Sequence, residues 1–190
     1  MKKFLLTAVF LTAISCSHSN QEAALGFNLN TEISNVGNSK SVNILVFDDR
    51  TNQKYVGNKS FGDEKINIST NKNLDEFLQE KIARSLILKG FTQGKGKGKD
   101  KTVEVHLKTL QYKAERGFPV GNSTINGVMK VSVRNDKTGE VFVKNYILDL
   151  DRKHFIVSLK ATDEQIINHL LRELVKDVVE DEEFLHNLAK

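Results

Sequence analysis

Between residues 162 and 180, apolar side chains recur every three or four positions: Ile166, Ile167, Leu170, Leu171, Leu174, Val175, Val178 and Val179. That spacing places them on one wide face of an α-helix. Such a helix is stable in water only when the face is buried against another element. Thr162 followed by Gln165 reads as a capping box at its start. Phe184, Leu185 and Leu188 predict a short final helix after the acidic break at residues 181–183.

The rest of the chain supplies the surface that such a helix needs. Residues 42–47, Val-Asn-Ile-Leu-Val-Phe, read as a buried strand that ends in the polar turn Asp48-Asp49-Arg50. Gly57 and Gly62 punctuate an irregular segment, after which Ile66 and Ile68 predict a short strand. Leu74, Phe77, Leu78, Ile82 and Leu86 lie on one face of a second helix. Asn73 with Glu76 reads as its capping box, and Gly90 stands where a left-handed C-cap is needed. In residues 102–112, Val103, Val105 and Leu107 alternate with Glu104, His106 and Lys108, and the phase then changes at Leu110 and Tyr112. A strand with a bulge near Thr109 accounts for the change. Residues 125–133 and 141–150 predict two further strands joined by the turn-like Asn135-Asp136-Lys137-Thr138-Gly139, so these three strands form an antiparallel meander. The fold expected is a single α+β domain of order β-α-β-β-β-α, with two main helices on one face of a mixed sheet.

The chain begins differently. Lys2 and Lys3 precede an apolar run over residues 4–14, and Ser15 then precedes Cys16, the only cysteine. This is the layout of a cleaved signal peptide. Eleven residues interrupted by Thr7 and Thr12 fall short of the roughly 20 that a membrane-spanning helix needs. Ala13-Ile14-Ser15-Cys16 resembles the bacterial lipobox, with Ala13 where leucine is usual. The resemblance implies cleavage before Cys16 and lipid on that residue. Several acyl chains together anchor durably where one binds reversibly, since each buried methylene contributes about 0.8 kcal/mol. Ser17 follows the cysteine; by resemblance to enterobacterial lipoproteins, in which aspartate there would favour inner-membrane retention, this implies an outer-membrane lipoprotein facing the periplasm.

Three segments follow: a signal peptide over 1–15, the lipidated cysteine and an Asn-, Ser- and Gly-rich tether over 16–40, and one globular domain over 41–190. Loss of the leader leaves 26 basic and 24 acidic side chains, a net charge of +2. Charge therefore gives no argument for nucleic-acid binding. With the sole cysteine committed to lipid, stability is expected to come from packing, without disulfides or a cysteine-ligated metal.

Several short motifs occur together in a fixed order: Asp48-Asp49-Arg50 after the lipobox, Leu78-Gln79-Glu80 leading to Leu88-Lys89-Gly90-Phe91, the strand from Val103 to Tyr112, and Lys144-Asn145-Tyr146 before the C-terminal helix. The set resembles the YajG-type lipoproteins of Gram-negative bacteria from Cys16 nearly to Lys190. The family's Asp-x-Arg element maps onto Asp48 and Arg50. The resemblance implies an envelope lipoprotein and brings no catalytic residues, ligand or cofactor with it.

The candidate binding residues fall in three places. Asp48, Asp49 and Arg50 end a strand, where adjacent carboxylates could bind a cation or simply close a turn. Lys95, Lys97 and Lys99 alternate with glycine in a stretch suited either to an anionic lipid surface or to a solvated loop; it lacks the spacing of a phosphate-binding P-loop. Asn122 and Ser123 lie in the glycine-rich stretch 117–127, read equally as a mobile binding loop or as a long hairpin connection. His18, His106, His154, His169 and His186 are dispersed without zinc-site spacing, and no nucleophile elbow or calcium loop is present. The expectation is a non-catalytic module without metal or cofactor beyond the lipid on Cys16. It would touch the membrane through that lipid and bind an envelope protein. Lipid, lipopolysaccharide or peptidoglycan is the alternative ligand, and a hydrolase using Asp48 or Asp49 as base is third.

Overall fold

The computed structural model describes residues 20–94, 100–115, 117, 120–155 and 160–190. Within them the elements run β1 (Gln21–Ala23), β2 (Ser41–Asp48), β3 (Gly57–Phe61), β4 (Glu64–Thr70), α1 (Leu74–Leu88), β5 (Thr92–Gln93), β6 (Lys101–Glu115), β7 (Val120–Asn135), β8 (Val141–Phe155), α2 (Lys160–Glu180) and α3 (Glu182–Ala189). The predicted α+β domain is present, with one mixed sheet and helices packed against it.

The sheet is organised along β6. Strand β7 runs antiparallel down one side of it and β8 continues the meander. On the other side β2 pairs in parallel with the first half of β6, from Val42 opposite Lys101 to Asp48 opposite Leu107. β3 pairs in parallel with the last part, from Gly57 opposite Tyr112. β4 folds back on β3, and β1 adds in parallel to β4 with Gln21 opposite Ile68. The expected bulge is real: the β6–β7 register shifts between Leu107 and Thr109. Val103, Val105 and Leu107 before it, and Leu110, Tyr112 and Ala114 after it, all reach the same core.

All eight apolar residues predicted for the α2 stripe are buried. Full burial of each side chain contributes about 1.5–3 kcal/mol, which makes this face the largest single anchor of the helical layer. Gly127 of β7 lies beneath it; a Cβ there would come within 2.5 Å of Leu170 and 2.6 Å of Leu174. Glycine at this place lets the helix settle onto the strand. Gly90 adopts φ +87, the left-handed cap expected after α1.

The starts of both main helices differ from expectation. Asn73 is the N-cap of α1 but makes no side-chain cap bond. Instead Asp75 accepts from the Glu76 backbone N–H at 2.8 Å. Helix α2 begins at Lys160, which places Thr162 inside the first turn and not at the cap. Helix α3 is capped by a side chain as the rules describe, through Asp181 accepting from Glu183 N at 2.9 Å and Phe184 N at 3.1 Å.

Three larger corrections concern segments read as irregular. The stretch after Gly57 is a regular hairpin, β3–β4. Residues 120–127 belong to β7, so no loop is centred on Asn122 and Ser123. Much of the tether expected over 16–40 is packed: Ala23 and Leu25 are buried, and Phe27 and Leu29 lie against the core. Glu164 accepts from Ala24 N at 3.1 Å, Asn71 from Leu25 N at 2.8 Å, and Asn168 from Gly26 N at 2.8 Å. These scattered apolar residues have no period to read, yet Ala23, Leu25, Phe27 and Leu29 find places on the domain, while Ile33 and Val36 stay exposed.

Candidate functional site

Asp48 and Arg50 form a closed unit. The Arg50 guanidinium donates to both Asp48 carboxylate oxygens, at 2.8 and 2.7 Å, and to the carbonyls of Tyr55 and Gln53 at 3.0 and 3.1 Å. Arg50 is only 6% exposed. With its fork filled by a carboxylate and two carbonyls, it fastens the loop over residues 50–55 to the end of β2. The Asp-x-Arg element is a structural clasp.

Asp49 points the other way, towards the open side of the sheet. It accepts from Lys108 Nζ at 2.5 Å and lies 2.8 Å from His106 Nδ1. Those hydrogen bonds, from Lys108 first and then His106, hold its carboxyl below the usual carboxylate range. The His106 ring stacks on Phe47 with centroids 5.0 Å apart. A charged acid clasped by lysine on an exposed face is poorly suited to take up a proton as a general base at neutral pH.

Asn122 and Ser123 separate completely. Asn122 is exposed on β7, whereas Ser123 is 1% exposed and lies 3.1 Å from the Tyr112 hydroxyl. Tyr112 in turn donates to Asp163 Oδ1 at 2.6 Å. The other Asp163 oxygen accepts from Lys59 Nζ and from Gln21 Nε2, each at 2.9 Å. Asp163 and Tyr112 are fully buried and Lys59 is 6% exposed. This polar cluster ties β1, β3, β6, β7 and α2 together. The sequence reading missed it, although a signal was present: Asp163 precedes Ile166, Ile167, Leu170 and Leu174 at helical spacing and so extends their apolar stripe. An acid on a buried face must find partners.

Lys95, Lys97 and Lys99 lie outside the described residues, as do Cys16 and the leader. His169 lies 2.7 Å from an Arg172 nitrogen, and burial, then Arg172, lowers its pKa. At the edge of the meander, Lys144 bridges Asp181 at 2.7 Å and Glu183 at 2.9 Å, while the Tyr146 hydroxyl donates to Asp181 at 2.8 Å. These bonds dock α3 against β8. Among the described residues no three His, Cys, Asp or Glu side chains gather as a metal site requires, and no helix is long and apolar enough to cross a membrane.

The surface left uncovered is the sheet face away from the helices. Strand β8 pairs only with β7, so among the described residues no strand joins its other edge. On the open face of that strand Val141, Val143 and Ile147 are 58%, 50% and 64% exposed. Asp149 lies further along the same face, hydrogen-bonded to Asn126.

No curated protein matches the chain. Solved structures are similar to the chain at low identity. A Xanthomonas campestris protein of the DUF330 family is 11% identical, over 85% of this chain and 95% of that one, with a TM-score of 0.49. An uncharacterised protein is 13% identical over 86% and 99%, with a TM-score of 0.50. A Helicobacter pylori protein described as a homologue of a neuraminyllactose-binding hemagglutinin is 8% identical over 86% and 97%, with a TM-score of 0.47. A family model described as uncharacterised lipoprotein matches residues 28–188, and the chain belongs to that family, the YajG-type lipoproteins.

Proposed function

We propose that this lipoprotein is a non-catalytic binding module of the cell envelope, anchored through lipid on Cys16 in the outer membrane, facing the periplasm, and engaging an envelope protein through the open face and free edge of β8. The observation that carries the reading is the exposure of Val141, Val143 and Ile147 on a strand whose outer edge has no strand partner among the described residues. An unpaired edge offers main-chain donors and acceptors to an added strand, and the apolar side chains beside it supply contact area. Family membership supports the envelope location. The clasped states of Asp48 and Asp49 support a role other than hydrolysis.

A photo-reactive amino acid placed at Val143 or Ile147 in living cells tests the reading. It predicts a discrete adduct with one envelope protein from these positions and none from Glu80, on the exposed side of α1. Equal, diffuse labelling from all three positions would refute it.

A further inference from the structure

The packed N-terminal segment fixes more than the core. Gln21 is held by Asp163, and residues 23–26 are held through Glu164, Asn71, Asn168 and the buried Ala23 and Leu25. Only residues 17–20 separate Gln21 from Cys16. Five residue steps span at most about 17 Å even when fully extended.

The place where that short leash is rooted is defined by register. Gln21 lies opposite Ile68, and β1 runs parallel to β4, so the chain enters β1 from the side of the β3–β4 turn. Ile68 is four residues beyond Glu64, the start of β4, or about 13 Å along the strand. The same end of the sheet holds the last residues of β6, the first of β7 and the last of β8, because Ser60 pairs with Glu115, Glu115 with Asn122, and Val120 with Phe155. The opposite end carries the turn over residues 135–139, which follows Asn135, the residue paired with Lys101. From Lys101 to Glu115, strand β6 alone extends about 46 Å.

We infer that the domain stands end-on to the membrane, with the β3–β4 turn and the adjoining ends of β7 and β8 against the lipid surface. The inference rests on the proposed anchor at Cys16. A leash of about 17 Å reaches the near end from Gln21 and cannot let the far end turn down to the bilayer while Gln21 stays in its socket. Val120, 37% exposed, and exposed Lys65 and Lys153 lie at this end and suit an interface of lipid tails and phosphates. Asp63, Glu64 and Glu115 are there too, so the leash sets the orientation and net charge does not. Val141 and Val143 of β8 then lie at the end far from the membrane, with their edge open to a partner.

The test uses the full lipidated protein reconstituted in vesicles of phosphatidylethanolamine and phosphatidylglycerol that carry a headgroup-quencher lipid. Acylation occupies the only native cysteine, so Asp63→Cys, Lys153→Cys and Glu140→Cys each offer one thiol for a fluorophore. Quenching at positions 63 and 153 is expected to be several-fold stronger than at 140. Insertion of about 20 Gly/Ser residues before Gln21, which adds roughly 25 Å of reach, should reduce that difference at least twofold. Protein that does not float with the vesicles would refute the anchor at Cys16 and the orientation with it. Protein that floats but is quenched equally at all three positions, or most at 140, would overturn the orientation alone.

Discussion

Replacement of Asp163 by leucine removes the carboxylate that lies 2.6 Å from the Tyr112 hydroxyl and 2.9 Å from both Lys59 and Gln21. Leucine fills similar space, so the main loss is electrostatic and falls on an ammonium that is itself 6% exposed. Removing one partner of a buried ion pair costs about 3–5 kcal/mol. A domain of this kind has roughly 5–15 kcal/mol of stability in total, so Asp163→Leu should leave it marginal. With a urea m-value of about 2 kcal/mol/M, the unfolding midpoint should fall by roughly 1.5–2.5 M, read by circular dichroism on the unlipidated chain from Ser17 onward. Adding Lys59→Met removes the buried charge that has lost its carboxylate and should restore at least half of the loss. A single-variant loss below about 1 kcal/mol, or a double variant no more stable than the sum of the two single losses implies, would refute the reasoning.

Gly57→Ala should destabilise by at least about 2 kcal/mol in the same urea assay, because a Cβ would stand 2.0 Å from the Tyr112 backbone oxygen, where neither strand can yield cheaply. Arg50→Lys should cost about 1–2 kcal/mol and speed amide exchange over residues 51–55, since lysine cannot hold one carboxylate and two carbonyls together. Burial first, and then the hydrogen bond to Asp181, push the Tyr146 phenol far above its ordinary value. Its contribution is therefore complete below about pH 10 and is lost as pH rises beyond that, so ultraviolet titration should show Tyr146 ionising only with unfolding. Lys108→Ala should raise the Asp49 titration midpoint, followed by carboxyl NMR; an unchanged midpoint would contradict the clasp described for it.

Much of this fold can be read from the amino acids, and what cannot has a common cause. The α2 stripe, the β6–β7–β8 meander and the bulge after Leu107 each come from a period repeated several times within one segment. Strand β1 has three residues and no period; its partners are Ile68 to Thr70 and, much further along, Asp163. Strand β3, Gly-Asn-Lys-Ser-Phe, looks like a loop because its lysine is committed to a carboxylate 104 positions away. Ser123 sits among glycines and polar residues that look like a loop, yet it lies in β7, where its buried hydroxyl meets Tyr112 across the β6–β7 ladder. Asp48 and Arg50 lie where their strand ends, and their geometry is that of a turn clasp.

The anchor at Cys16 underlies both the envelope role and the end-on orientation, and intact mass spectrometry of the mature protein extracted from its native membranes tests it most directly. The account predicts a chain that begins at Cys16 and carries three acyl groups. A mature chain that begins elsewhere, or one that begins at Cys16 without lipid, would contradict it.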